Sequence, residues 1–328
     1  MYCPRLEHFT RLNSNGTIGK CGHMVEQQSF ESHDEMQNSN WLRKIKKTME
    51  QGVWPAECRR CNESERAKGE SVRTNSLDRH KILKNIQDDY LIVGGVLDNT
   101  CNSACQTCNS NLSTLIGSLE SKKYKRINNL ERFKSLPSER IVELDISGGE
   151  PTASKNYREV LRDLPENLQI VRMNTNGSRM IKEIEQILER GITVIVTLSL
   201  DGLNKVHDYT RWPIRWVDYT RNLDAYLALR EKYKLLKLDF WTTVSCLNIG
   251  NLQEIKEFAR LRNVPHDWAF LDKPSVLNVR YSNRFTIRSK TLYPEQIAID
   301  ENNDSELDSF MLRQDRLRNI RSEDYLNF

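Results

Sequence analysis

From Tyr90 onward the sequence alternates short apolar runs with longer stretches of helical spacing, and that alternation limits the fold more than any other feature. Runs at 91–97, 141–146, 168–173, 193–200, 238–244 and 268–271 read as strands, and 157–164, 180–190, 219–232 and 252–262 between them as helices. The order predicts a parallel sheet wound by crossover helices. Six strand–helix units are too few to close an eightfold barrel, so the expected fold is α/β, a partial (β/α)6 TIM-like barrel. In such folds chemistry gathers at the C-terminal ends of the strands. Cys101, Cys105 and Cys108, Gly148-Gly149-Glu150, Asn174 to Gly177 and Ser199 to Gly202 all fall at those ends, which argues for one shared site.

The three cysteines are spaced Cys-x3-Cys-x2-Cys directly after the first strand. Thiolates select iron–sulfur clusters or zinc, and a closed structural site needs four of them. Three in one loop predict an open coordination position. Glycines before a carboxylate at the next strand end allow close backbone approach and a charge-assisted hydrogen bond.

These motifs, with Ser147-Gly148-Gly149-Glu150-Pro151 and the alternation from about residue 91 to 271, resemble the radical S-adenosylmethionine (SAM) enzymes. The resemblance implies that Cys101, Cys105 and Cys108 bind a [4Fe-4S] cluster and that SAM chelates its fourth iron. One electron from the cluster then splits SAM into methionine and a 5′-deoxyadenosyl radical, which abstracts hydrogen from the substrate. It also implies that Gly148, Gly149 and Glu150 receive the SAM ammonium, that Ser199 and Asp201 resemble ribose and carboxylate contacts, and that Arg211 pairs with the SAM carboxylate. Asn174 and Asn176 either line the site or cap the following helix. Thr107 departs from the family pattern, in which a large apolar residue precedes the third cysteine.

Residues 1–85 are polar and hold Cys3, Cys21, Cys58 and Cys61. Asn15-Gly16 predicts a type I′ hairpin that brings Cys3 and Cys21 together, and Trp41, Ile45 and Met49 predict a helix over 41–51. The cysteine spacing resembles the twitch half-domain, a shortened relative of SPASM domains that usually follows the barrel. That resemblance implies a second [4Fe-4S] cluster serving as electron acceptor, while a four-thiolate zinc site fits the same spacing. The expected organisation is a small cysteine-rich domain at 1–85, the barrel at 86–275 and a C-terminal extension at 276–328. Within the extension, 294–308 reads as an acidic loop before an Arg-rich helical tail.

A net charge of +4 demands no nucleic-acid partner, and Arg43, Lys44, Lys46, Lys47, Lys122, Lys123, Lys125 and Arg126 read as solvated helix faces. No stretch approaches the ~20 apolar residues of a membrane span, and no leader pattern opens the chain, so a soluble cytoplasmic protein is expected. Eight cysteines in a reducing compartment favour metal over disulfides. Cys246 reads as a buried thiol, His207 with Asp208 as a candidate proton acceptor, and His23 and His266 are unassigned. The catalytic residue is unknown. Expected partners are a peptide or small polar substrate and an external one-electron reductant of flavodoxin or ferredoxin type. A non-enzymatic zinc or Fe–S interaction module and a nucleic-acid-modifying radical SAM enzyme are the alternatives.

Overall fold

The computed structural model describes residues 1–121, 124–279 and 304–326. Eight strands form one sheet: β1 (Phe9–Leu12), β2 (Ile18–Gly19), β3 (Leu91–Val96), β4 (Ile141–Ser147), β5 (Ile170–Thr175), β6 (Thr193–Ser199), β7 (Leu236–Val244) and β8 (His266–Phe270). Their spatial order is β2-β1-β3-β4-β5-β6-β7-β8, and only the β1–β2 pair is antiparallel. All six strands expected from the apolar runs are present.

Helices cover one face of the sheet, and the strands record this in their alternation. Along β7, Leu236, Leu238 and Phe240 are buried in the main core with Leu223, Tyr226 and Phe258 of the covering helices. Asp239, Trp241 and Thr243 point to the other face, where successive strands carry polar residues such as Glu143, Asp145, Arg172, Thr197 and Ser199. Helix Lys155–Arg162 begins where the Ser154 hydroxyl accepts from Tyr157 N, and it buries Tyr157, Val160 and Leu161 at i, i+3 and i+4. Each such side chain contributes roughly 1.5–3 kcal/mol on burial.

The N-terminal stretch departs from the expected separate domain. β1 pairs in parallel with β3, Phe9 opposite Ile92 through Leu12 opposite Gly95. The sheet therefore has seven parallel strands, and its edge is built from residues before 85. The hairpin is present, but its turn is not type I′. Leu12 pairs with Ile18 across a five-residue loop closed by Asn13 N to Thr17 O, in which Asn15 Oδ1 accepts from Thr17 N. The Asn15 side chain thus organises a wider turn. Helix Asn40–Glu50 forms as expected, with Leu42 joining Ile45 and Met49 as the buried stripe and Trp41 only partly covered.

Helix Val72–Leu83 sends Arg79 to the polar face, where it and Arg172 pair with the fully buried Glu143. This charged group lies toward the strand starts, at the opposite end from the cysteine loop. Arg43, Lys44, Lys46 and Lys47 do lie on a helix, whereas Lys125 and Arg126 are in irregular chain, Lys125 Nζ donating to Asn15 O at 2.6 Å. Lys122 and Lys123 lie outside the described residues, as do 294–303 of the expected acidic loop. Residues 304–308 belong to helix Asp304–Arg318 rather than to a loop. No helix among the described residues is long and apolar enough to cross a membrane.

Candidate active site

The cysteine loop leaves the C-terminal end of β3, and neighbouring segments hold its backbone. Ala104 N donates to Trp212 O (2.7 Å), Gln106 N to Thr210 O (2.9 Å) and Cys101 N to Thr114 Oγ1 (3.2 Å). The Ser103 hydroxyl lies 3.3 Å from Cys101 Sγ and 3.5 Å from Cys105 Sγ, so both thiols meet one polar atom. Burial pushes the Cys101 thiol up and the Cys108 thiol up to about 12.

Glycines 148 and 149 let this loop lie against the end of β4. Gly149 N donates to Asp98 O (2.9 Å) and Glu150 N to Thr100 O (2.8 Å). A Cβ at Gly149 would overlap the Thr100 carbonyl oxygen, and Gly148 holds φ +125° with the Asp98 carbonyl in the same relation. Gly149→Ala is therefore expected to push the loop outward, costing about 1–3 kcal/mol as overpacking does. Urea unfolding together with iron retention against a chelator checks this; an unchanged midpoint and unchanged retention would show that the close approach is dispensable.

Glu150 is nearly solvent-free, and its carboxylate is largely committed to the protein. Oε1 accepts from Thr152 N (3.1 Å), Thr152 Oγ1 (2.8 Å) and Thr175 Oγ1 (2.8 Å), while Oε2 accepts from Asn176 N (2.7 Å). With about four lone-pair sites on a carboxylate, only Oε2 retains capacity for an incoming ammonium. Burial pushes its pKa up, and these hydrogen bonds oppose that shift. The side chain first ties the β4 loop to the β5 loop.

Asn176 does not cap helix Ile184–Glu189, whose N-cap position is Glu183. Its Nδ2 donates to Asn102 Oδ1 (2.9 Å) and Ser103 Oγ (3.2 Å), joining β5 to the cysteine loop.

Beyond β6, Asp201 and Arg211 form a buried pair, Arg211 Nη1 lying 2.5 Å from Asp201 Oδ2. Thr243 N donates to Asp201 Oδ1 at 2.8 Å. Burial opposes the Arg211 charge, but Cys105 and Asp201 outweigh it and raise its pKa. Arg211 Nε is buried with no partner among the described residues. A single cavity of about 490 Å³ is lined by all three cysteines, Thr107, Gly148, Gly149, Glu150, Asn174, Asn176, Ser199, Asp201, Arg211 and Thr243. Arg11 and Ser14 of the β1 hairpin line it as well. Arg11 carries little sequence signal because a four-residue strand has almost no period, and Ser14 lies in the loop that follows it.

His207 and Asp208 do not reach this cavity. His207 is fully buried, its ring packed on Trp216 and Tyr219, and burial lowers its pKa to about 3; Asp208 accepts from Trp216 N at the start of helix Trp216–Lys232. A neutral, enclosed imidazole here is a packing group. His266 bonds Thr242 Oγ1 (2.9 Å), and Cys246 is buried against Tyr209 and Leu277 in the C-terminal cluster.

Cys3, Cys21, Cys58 and Cys61 line a second, apolar cavity with His23, Met24, Met49 and Trp54. Burial pushes Cys3 up to about 11 and Cys58 to about 12. Cys21 follows β2, which runs back toward the start of β1, so this thiol group sits away from the strand ends that carry the triad. The Arg11 side chain lies beside Gly22, next to Cys21, and also lines the larger cavity.

Three soft thiols at the wall of a polar cavity suit a cubane cluster, and the unpartnered Arg211 donor suits an anionic group beside it. The cavity volume is within the range of small-molecule sites. Among the described residues no three His, Cys, Asp or Glu side chains converge on one metal ion. The thiolates of a cubane sit on different irons, so a cluster does not require such convergence.

The family model described as the radical SAM superfamily matches residues 97–261, half of the chain. The probable GTP 3',8-cyclase of Pyrococcus horikoshii is 29% identical over 110 residues, 33% of this chain and 34% of that protein. The GTP 3',8-cyclase of Agrobacterium fabrum is 27% identical over 172 residues, 50% and 47% respectively. The chain thus spans between a third and a half of these curated relatives. Streptococcus suis SuiB bound to S-adenosylmethionine is 14% identical, covering 90% of this chain and 71% of its own, with a TM-score of 0.44. Native anSMEcpe with bound AdoMet is 17% identical, covering 70% and 62%, with a TM-score of 0.43. At such TM-scores nothing about this chain is inferred from either structure.

Proposed function

The chain belongs to the radical SAM superfamily and is an enzyme, and from that premise we propose that Cys101, Cys105 and Cys108 hold the [4Fe-4S] cluster which membership implies. When bound, the cluster supplies the electron that cleaves SAM reductively to the hydrogen-abstracting 5′-deoxyadenosyl radical. The observation that carries the assignment is the shared cavity, in which residues from the ends of β3 through β7 meet the three thiols.

Each group then has a task. Arg211 presents its buried Nε to the SAM carboxylate, and Asp201 orients that guanidinium while Thr243 N orients Asp201. Ser199 lines the wall for the ribose. The Gly148–Gly149 backbone and the remaining acceptor capacity of Glu150 Oε2 receive the ammonium group.

Polar residues on the cavity face of the sheet favour a small polar substrate or a peptide, with an external flavodoxin or ferredoxin type reductant. The curated relatives are named for GTP cyclisation, and a nucleotide falls within that substrate range. The four N-terminal cysteines are proposed to hold a second [4Fe-4S] cluster, with zinc as the competing occupant. Four thiolates leave no open coordination position, which suits electron transfer or structure.

Anaerobic reconstitution followed by iron, sulfide and zinc analysis, then dithionite-driven conversion of SAM to 5′-deoxyadenosine, tests these assignments. About eight irons with deoxyadenosine formed is the expected result for two cubanes. No iron and no SAM cleavage would overturn the site assignment. Cys58→Ser with Cys61→Ser is expected to lower iron to about four per chain while SAM cleavage persists; zinc in place of the lost iron in the parent protein would overturn the second cluster.

A further inference from the structure

A buried arginine from the C-terminal helix, outside the stretch that matches the family, reaches the cysteine loop. Helix Asp304–Arg318 packs Leu307 and Met311 into the cluster that contains Tyr209 and Leu271. Asp315 then fixes its end, accepting from Tyr209 Oη (2.9 Å) and Ser322 N (2.7 Å). One turn further on, Arg318 is only 5% exposed. Its Nε and Nη2 both donate to the carbonyl of Ala104, at 3.0 and 2.8 Å, and its Nη1 donates to Gln314.

Ala104 lies between the first two thiols of the triad, and its own N–H is already held by Trp212 O. Both polar atoms of this residue are therefore fixed, one by the segment after Thr210 and one by Arg318. Among the described residues no carboxylate comes within ion-pair distance of the Arg318 guanidinium, whose hydrogen-bond partners are neutral. A buried cation without a carboxylate is costly unless negative charge lies near it. Burial disfavours the Arg318 charge, while Tyr209, Cys105, Asp315 and Glu120 favour it; of these, Cys105 belongs to the loop that Arg318 holds.

We propose that Arg318 is a positioning residue for the cluster: it clamps the Ala104 turn between Cys101 and Cys105, and its charge favours the more negative, reduced state. The proposal rests on the assignment of the triad to the cluster. Charge and hydrogen bonds around iron–sulfur sulfurs set their potentials, and outer groups that orient ligands contribute strongly to metal retention. Arg211 lines the same cavity as Cys105, and Arg318 bonds the adjacent Ala104 carbonyl, so two guanidinium groups from different elements act on this part of the loop.

The test uses the full chain with Cys58→Ser and Cys61→Ser, so that one cluster is observed. Arg318→Gln keeps a donor for Ala104 and removes the charge; Arg318→Lys keeps the charge and loses the fork. EPR-monitored redox titration, iron release to a chelator and thermal melting are read for each. Arg318→Gln is expected to lower the reduction equilibrium at least tenfold, a shift of about 59 mV to more negative potential for one electron. Arg318→Lys is expected to hold the parent potential while releasing iron faster. Equal shifts in both variants, or a parent-like potential and iron retention in Arg318→Gln, would overturn the proposal and leave the triad assignment standing. Failure of the parent to hold iron would overturn both.

Discussion

Replacing Cys101, Cys105 and Cys108 together by alanine is expected to reduce SAM cleavage to the uncatalysed background while metal at the N-terminal cysteines persists. The two thiol groups are built by different elements. The triad stands on a loop whose backbone is held by Thr114, Thr210 and Trp212, and none of those bonds uses a thiol. The loop should therefore keep its path in the triple variant, so lost activity would report lost ligation and not unfolding. The N-terminal cavity is lined from residues 3–73 and shares no lining residue with the larger one. Chromatographic assay of 5′-deoxyadenosine, with iron analysis and circular dichroism on the same sample, reads all three consequences. Cleavage retained by a folded triple variant would sink the assignment.

Arg211→Met is expected to cost about 3–5 kcal/mol of stability, because it strands a carboxylate that is 2% exposed. Its partner Asp201 would keep Thr243 N as a donor but lose the cation at 2.5 Å. Pairing the change with Asp201→Asn should recover most of that loss, since an amide costs less to bury than an unpaired charge. SAM affinity should stay low in both variants, because neither offers the guanidinium Nε. Urea unfolding and equilibrium binding of SAM separate the effects. If the double variant binds SAM as the parent does, Arg211 is a structural ion pair and no part of the SAM site.

Local chemistry made much of this site readable. The six apolar runs are strands because side chains buried beneath covering helices must be apolar, and the motifs lie at strand ends because the chain leaves the sheet there. Burial and partners are a different matter. His207 beside Asp208 is a plausible base in one dimension, yet the fold encloses its ring between Trp216 and Tyr219. Glu150 reads as a carboxylate for an incoming ammonium, yet Thr152, Thr175 and Asn176 already claim most of its acceptor capacity. The strand Phe-Thr-Arg-Leu is too short to declare itself; pairing with β3 makes it a strand and brings Arg11 to the cavity.

By itself, the sequence determined the strand–helix order, the strand ends where polar chemistry collects, and the thiol spacing on which the proposed cluster site rests, since each depends on residues close together in the chain. Tertiary structure alone decided which buried groups meet. Arg318 is 214 residues from Ala104, and Asn176 is 73 from Ser103. Such contacts join elements far apart in the chain, and no local period encodes them. Long-range pairing of the same kind joined the N-terminal hairpin to the sheet edge and placed a C-terminal guanidinium behind the cysteine loop.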